Sequence, residues 1–228
     1  MKFIVFGLGN FGASLAIQLV KLGHEVIGVD QRLETVDKYK HTITHGIALN
    51  TSSKEAVEQL PLQDVDAAIV AIGEDEGAAI MTTALLKQIG VPRIICRVAS
   101  PLQKIVLEAM DIQEFVYPEA YSAERLALKL DLPGVIDSFQ ISSEYRLLEV
   151  AVPQRYVNVS ITASDFANRY KLVLVSILKR VKKKNIFGND KSELQVMGIV
   201  PPDTIFRSED VLLLFGAPRD LEAFISGK

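Results

Sequence analysis

Residues 1–30 read MKFIVFGLGNFGASLAIQLVKLGHEVIGVD, and this stretch decides the fold. An apolar run from Phe3 to Phe6 enters Gly7-x-Gly9-x-x-Gly12 directly. Helical apolar spacing follows at Leu15, Ala16, Leu19 and Val20, with Gly23 as a stop signal. A second apolar run, 25–29, ends at Asp30, eighteen residues past the last glycine. Each part has a mechanical role. Gly7 permits the tight turn off a strand, Gly9 lets the backbone approach a phosphate, and Gly12 lets the helix pack close to the sheet. Asp30 is placed to accept hydrogen bonds from a ribose, and the free N–H groups at the helix start form an anion site. A Gly-rich turn that binds nothing is the competing reading. Strand, glycines, helix, second strand and acid in that order argue against it.

Outward from this stretch, strand-like apolar runs at 2–6, 26–29, 67–72, 93–98 and 114–117 alternate with helical patterns. The short segment Ile47-Ala48-Leu49 fits a third strand. Alternation of this kind predicts a parallel sheet covered on both faces. The run AAIVAIG is apolar enough for a central strand, and its exit at Gly73 and Glu74 falls at the carboxyl edge, where open α/β sheets bind ligands. Residues 1–117 therefore read as one six-stranded Rossmann-like, doubly wound nucleotide-binding domain.

From Pro118 the pattern is helical, and Pro133-Gly134 breaks it. Beyond lie short runs at 147–152, 171–178 and 210–216, with helix-like stretches at 164–169 and 221–225. These predict a second, smaller α+β domain over 138–228, joined by a helix and linker at 118–137 with the boundary near 131–140.

With 25 Lys and Arg against 28 Asp and Glu, the net charge of −3 gives no electrostatic case for nucleic acid or an anionic membrane. The basic cluster 179–184 precedes the turn Phe187-Gly188-Asn189-Asp190 and lacks interleaved aromatics, so it reads as a solvated hairpin. The single cysteine, Cys96, sits in an apolar run and reads as a buried, inert thiol; without a partner it fits a cytosolic chain. No apolar stretch approaches the ~20 residues of a membrane helix. All three histidines, His24, His41 and His45, precede residue 46, and the second domain has neither His nor Cys. His24 sits in a turn and reads as an exposed structural residue. That composition disfavours an NAD-dependent oxidoreductase, which normally draws an acid, base or metal from its second domain. A redox-responsive DNA-binding repressor would need a basic recognition helix, and no segment offers one.

The chain resembles the cytoplasmic regulatory subunits of bacterial Ktr- and Trk-type potassium uptake systems. The matching segments are GLGNFGASLAIQLVKLGHEVIGVD, THGIALNTSS, DAAIVAIGEDEGAAIMTTALLKQIGVPRIICRV, FVYPE, YKLVLVSILKR and EDVLLLFG. One copy of each domain makes it more similar to Ktr than to Trk subunits. The resemblance implies a non-enzymatic gating device, cytoplasmic and held at the inner face of the membrane by a potassium-translocating subunit. It implies homodimers joined by an exchanged helix, here Pro118–Leu130, assembling into an octameric ring. That region's Ala123, Leu126, Ala127 and Leu130 fit a bridge or an ordinary core equally well.

The resemblance also assigns residues. Gly7, Gly9 and Gly12, with the amides around Asn10 and Phe11, correspond to the phosphate loop; Asp30, followed by Gln31, corresponds to the ribose acid. Asn50 and Thr51 border the adenine, Gly73 and Glu74 lie above the cofactor, and Arg97 points towards phosphates unless it forms a surface ion pair. Glu119 corresponds to a carboxylate that binds a divalent cation, Mg2+ or Ca2+. ATP-responsive relatives often carry an arginine where this chain has Asn10, which brings no charge to a terminal phosphate. ATP and ADP are the implied ligands, with ADP, AMP or NAD/NADH favoured by Asn10. NADP is disfavoured by like-charge repulsion from Asp30, slightly softened by Arg32. In the second domain relatives bind cyclic di-AMP between two copies; 160–169 corresponds, but Ala167 replaces an arginine common there, and that ligand is open.

Overall fold

The computed structural model describes residues 1–184 and 190–227. The turn residues Phe187, Gly188 and Asn189 lie outside the described residues. The chain divides into two compact units, Met1–Glu119 and Ala120–Lys228.

The first unit runs β1 (Lys2–Phe6), α1 (Asn10–Lys21), β2 (Glu25–Asp30), α2 (Leu33–Tyr39), β3 (His45–Ala48), α3 (Lys54–Val57), β4 (Ala67–Val70), α4 (Glu76–Ile89), β5 (Ile94–Arg97), α5 (Pro101–Ala109) and β6 (Glu114–Val116). The strands form one sheet of order β3-β2-β1-β4-β5-β6, parallel throughout. Successive side chains of a strand point to opposite faces. Ile4, Phe6, Ile27, Val29, Ala68 and Val70 accordingly pack with Leu86 and Leu107 of α4 and α5. Phe3, Val5, Val26, Ala67 and Ile69 pack on the other face with Ala16 and Val36 of α1 and α2. Cover on both faces is why these strands are continuous apolar runs rather than alternating ones.

Three details differ from the sequence expectation. β3 pairs His45 to Ala48 against Ile27 to Asp30, so ladder register, not local hydrophobicity, sets its position at the exposed sheet edge. β4 ends at Val70; Ala71 still donates to the Phe6 carbonyl at 2.8 Å, but Ile72 has left the sheet. His24 is half-buried, its ring edge-on to Phe3 at 5.3 Å, rather than exposed. Cys96 is 1% exposed with its thiol 3.4 Å from Thr83 Oγ1. Burial pushes that thiol's pKa up and the Thr83 hydrogen bond only partly offsets it, so the inert reading holds.

The second unit contains most of α6 (Pro118–Asp131), then β7 (Val135–Gln140), β8 (Arg146–Ala151), α7 (Ile161–Ser164), α8 (Phe166–Tyr170), β9 (Val173–Lys184), β10 (Asp190–Val196), β11 (Val211–Gly216) and α9 (Pro218–Ser226). Its antiparallel sheet has the order β10-β9-β11-β8-β7. Leu148, Val150, Ile177, Leu212 and Leu214 form a core with Phe166, Leu221 and Phe224 of the helices. Arg155 donates to the Phe224 carbonyl near the end of α9, supplying a partner to an orphan helix acceptor. β7 starts inside the stretch expected to be linker. No residue of α6 is buried: Leu126 is 56% and Leu130 78% exposed. The ordinary-core reading of that helix therefore fails within one chain.

Candidate nucleotide-binding cleft

From β1 the chain moves outward through β2 and β3, then crosses back to β4 on the other side of β1. At that reversal the connections leave in opposite directions, and a crevice opens at the carboxyl ends of β1 and β4. A cleft of about 230 Å³ lies there. It is lined by Gly7, Gly9, Asn10, Phe11, Asp30, Gln31, Asn50, Thr51, Gly73, Glu74, Arg97 and Glu119. Every sequence-predicted site residue except Gly12 thus borders one space.

The start of α1 forms one wall. Gly9 occupies its N-cap position and has no side chain to accept from the first-turn amides, and that turn carries no acid. α3, α4 and α5 are instead capped by Ser53, Asp75 and Ser100. An uncapped helix start presents N–H groups and the positive end of its dipole to whatever fills the cleft. Gly7 takes φ +91°, the left-handed region, and donates to the Val29 carbonyl at 2.7 Å. Gly12 stands behind the loop: a Cβ there would overlap the Gly7 carbonyl oxygen. Its contribution is close packing of helix on loop, not ligand contact.

Asp30 is buried at the end of β2, 6% exposed. One carboxylate oxygen accepts from the Leu8 amide at 2.9 Å, the other from the Arg32 amide at 2.9 Å. Arg32 Nε lies 3.4 Å from that second oxygen. A carboxylate has roughly four acceptor sites and three are taken, so about one remains for a sugar hydroxyl while Asp30 also ties the glycine loop to β2. Beyond β3, Asn50 accepts from the Ser52 amide at 3.0 Å, closing a turn, and the carbonyl of buried Thr51 accepts from Thr82 Oγ1 at 3.2 Å.

Arg97 ends β5 and donates to Glu119 in the first turn of α6. The residue expected to face phosphates and the one expected to hold a cation are therefore partners. Among the described residues no group of three His, Cys, Asp or Glu could hold a metal ion. Glu119 alone does not make a divalent-cation site, since hard cations take six or more oxygens.

Sequence reasoning did not assign Ser52, Ala71, Ile72, Asp75 and Ala78 to the site, and it weighed Arg32 only as softening the case against NADP. All six line the cleft. Asp75 was findable, because an acid immediately before a helical pattern is a cap and marks the strand-to-helix turn. The lining holds Asp30, Glu74, Asp75 and Glu119 against Arg32 and Arg97. An anion must therefore be met by the α1 amides and these two guanidiniums.

Residues 3–118 match the family model described as the TrkA-N domain. The chain belongs to the TrkA-N domain family. Both units align with Ktr system potassium uptake protein A of Bacillus subtilis (strain 168), 27% identical over 98% of this chain and 95% of that protein. Ktr system potassium uptake protein C of the same organism is 29% identical over the same shares. Among solved structures, the GsuK RCK domain superposes with a TM-score of 0.64 at 14% identity, covering 99% of this chain and 47% of that one. The GsuK channel bound to NAD gives 0.65 at 14% identity, covering 39% of that chain. This TrkA-N chain thus spans about half or less of those structures, and the likeness concerns the fold: a Rossmann-like parallel sheet followed by a smaller antiparallel unit.

Proposed function

We propose that this chain is the nucleotide-responsive regulatory subunit of a potassium uptake system, and not an enzyme. The observation that carries the reading is continuity. Relatedness to the two Bacillus subtilis Ktr proteins runs through both units and covers 95% of each protein. The cleft supports the sensing half of the proposal, with α1 amides for phosphates, Asp30 for the ribose, and Asn50 and Thr51 for the base.

ATP, ADP, AMP and NAD/NADH are the candidate ligands. Uncharged Asn10 favours ADP, AMP or NAD over ATP, and the NAD-bound GsuK channel supports a dinucleotide on this fold. Mg2+ or Ca2+ at Glu119 needs further oxygens from ligand phosphates and from a second copy. The exposed apolar residues of α6 support pairing of copies through 118–137, as in the implied dimers of an octameric ring. The ring acts in the cytoplasm on a membrane-embedded potassium-translocating subunit. Among the described residues no helix is long and apolar enough to cross a membrane. Cyclic di-AMP in the second unit would be held without an arginine at 167, where Ala167 stands exposed on α8.

A ligand shifts a two-state ring only by its difference in affinity for the two shapes. The test is reconstitution with the cognate membrane subunit in potassium-loaded vesicles. Flux should change on adding nucleotide only when this chain is present. Flux indifferent to both sinks the proposal, and nicotinamide turnover by the isolated chain would replace it with an oxidoreductase.

A further inference from the structure

We infer that Glu119 and the phosphate of a bound nucleotide compete for one cation, Arg97, so that their ion pair is a ligand-released latch on the first turn of α6. The inference rests on the nucleotide reading above.

Arg97 is seated by the sheet rather than by solvent. Its side chain is 17% exposed, against 63% for Glu119. A Cβ on Gly73 would overlap the guanidinium, so the exit of β4 is shaped around it. The seat leaves donors underused. Nη1 reaches the Ala71 carbonyl only at 3.4 Å, Nη2 serves Glu119, and buried Nε has no hydrogen-bond partner among the described residues. A guanidinium has five N–H donors in a fork suited to two oxygens of one anion.

Of the other charged groups that line the cleft, Asp30, Asp75 and Arg32 are engaged elsewhere. Asp30 accepts from Leu8 and Arg32, and Asp75 caps α4 through the Ala78 amide at 2.8 Å. Arg32, the second cation, leans on Asp30. Arg97 is therefore the cleft cation best placed for a phosphate, and Glu119 is what occupies it. A phosphate carries more charge and more acceptor oxygens than one carboxylate and can take both arms of the fork. When it does, the exposed partner moves and the seated one stays. Glu119 returns to water at small cost, still favourably near the positive end of the α6 dipole. Phosphate occupancy of the cleft is thereby reported at the start of α6.

The experiment is calorimetric titration with ADP and with adenosine, in chelator, of wild type, Glu119→Gln and Glu74→Gln. Removing the latch should tighten ADP binding about two- to five-fold, the range for a partly exposed ion pair. Adenosine, which lacks phosphate, should bind Glu119→Gln as it binds wild type. Glu74→Gln removes a cleft carboxylate that Arg97 does not hold and should tighten ADP less. In wild type ADP should also speed amide exchange in the first turn of α6, an effect absent from Glu119→Gln. Equal ADP affinity in wild type and Glu119→Gln overturns the latch and leaves the nucleotide reading intact. Equal tightening by the two substitutions overturns it in favour of general like-charge repulsion. No binding of ADP to any of the three removes the nucleotide reading, and the latch with it.

Discussion

Asp30 carries two tasks that its position in the sequence does not separate. It is the acid expected to face a ribose, and it also accepts the Leu8 amide and so anchors the glycine loop to β2. Asp30→Ala should therefore act twice. Leaving the buried Leu8 amide unpaired costs about 1–3 kcal/mol, read as a lower urea midpoint without ligand. Saturation with ADP or NAD at a hundred times the dissociation constant stabilises wild type by ~2.7 kcal/mol, and the variant should lose most of that thermal shift. A variant with wild-type stability and a full ligand shift would put the ribose elsewhere. Most residues that line the cleft were legible because glycines and an acid at fixed spacing have few other uses. The Arg97–Glu119 pairing was not. Twenty-two positions separate the two residues, and their meeting depends on side-chain direction at the end of β5 and the start of α6.

At the scale of elements, legibility followed burial. Strands β1, β2 and β4 are covered on both faces and announce themselves as apolar runs; the edge strands β3 and β7 do so less clearly. β3 was displaced towards Ile47, and β7, of whose six residues only Val135 and Ser138 are buried, was not read as a strand, its first residues 135–137 falling in the expected linker. β7 also sets an unfavourable contact. Asp137 lies across from Glu149 of β8, a like-charged pair. Burial, then Asp137, pushes the Glu149 carboxyl above its ordinary value, and Arg125 pulls it partly back. The sign follows from linkage. An acid whose folded pKa is raised costs no stability below its unfolded value, about 4.3 for Glu, and costs most above its folded value. Glu149→Gln should thus raise the urea midpoint at pH 7, and the gap to wild type should close as pH falls through the carboxylate range. A gap independent of pH would mean that charge at Glu149 is not the cause.

At the scale of the molecule, α6 is an element whose apolar residues its own chain does not cover. Ala123, Leu126, Ala127 and Leu130 share one helical face by spacing, and all are exposed. Leu126→Glu with Leu130→Glu should leave the fold intact, since exposed substitutions away from special features cost within about ±0.5 kcal/mol. The double variant should nevertheless elute as a smaller assembly in light scattering, with unchanged far-ultraviolet circular dichroism. Unaltered mass would assign copy pairing to another surface. All of this presupposes that the cleft between β1 and β4 is where adenosine phosphates bind. A crystal structure grown with ADP tests that most directly. It should show the diphosphate against the amides of Gly9 to Phe11, with the ribose hydroxyls on Asp30. ADP bound at another surface, or a cleft left empty at saturating ADP, would contradict it.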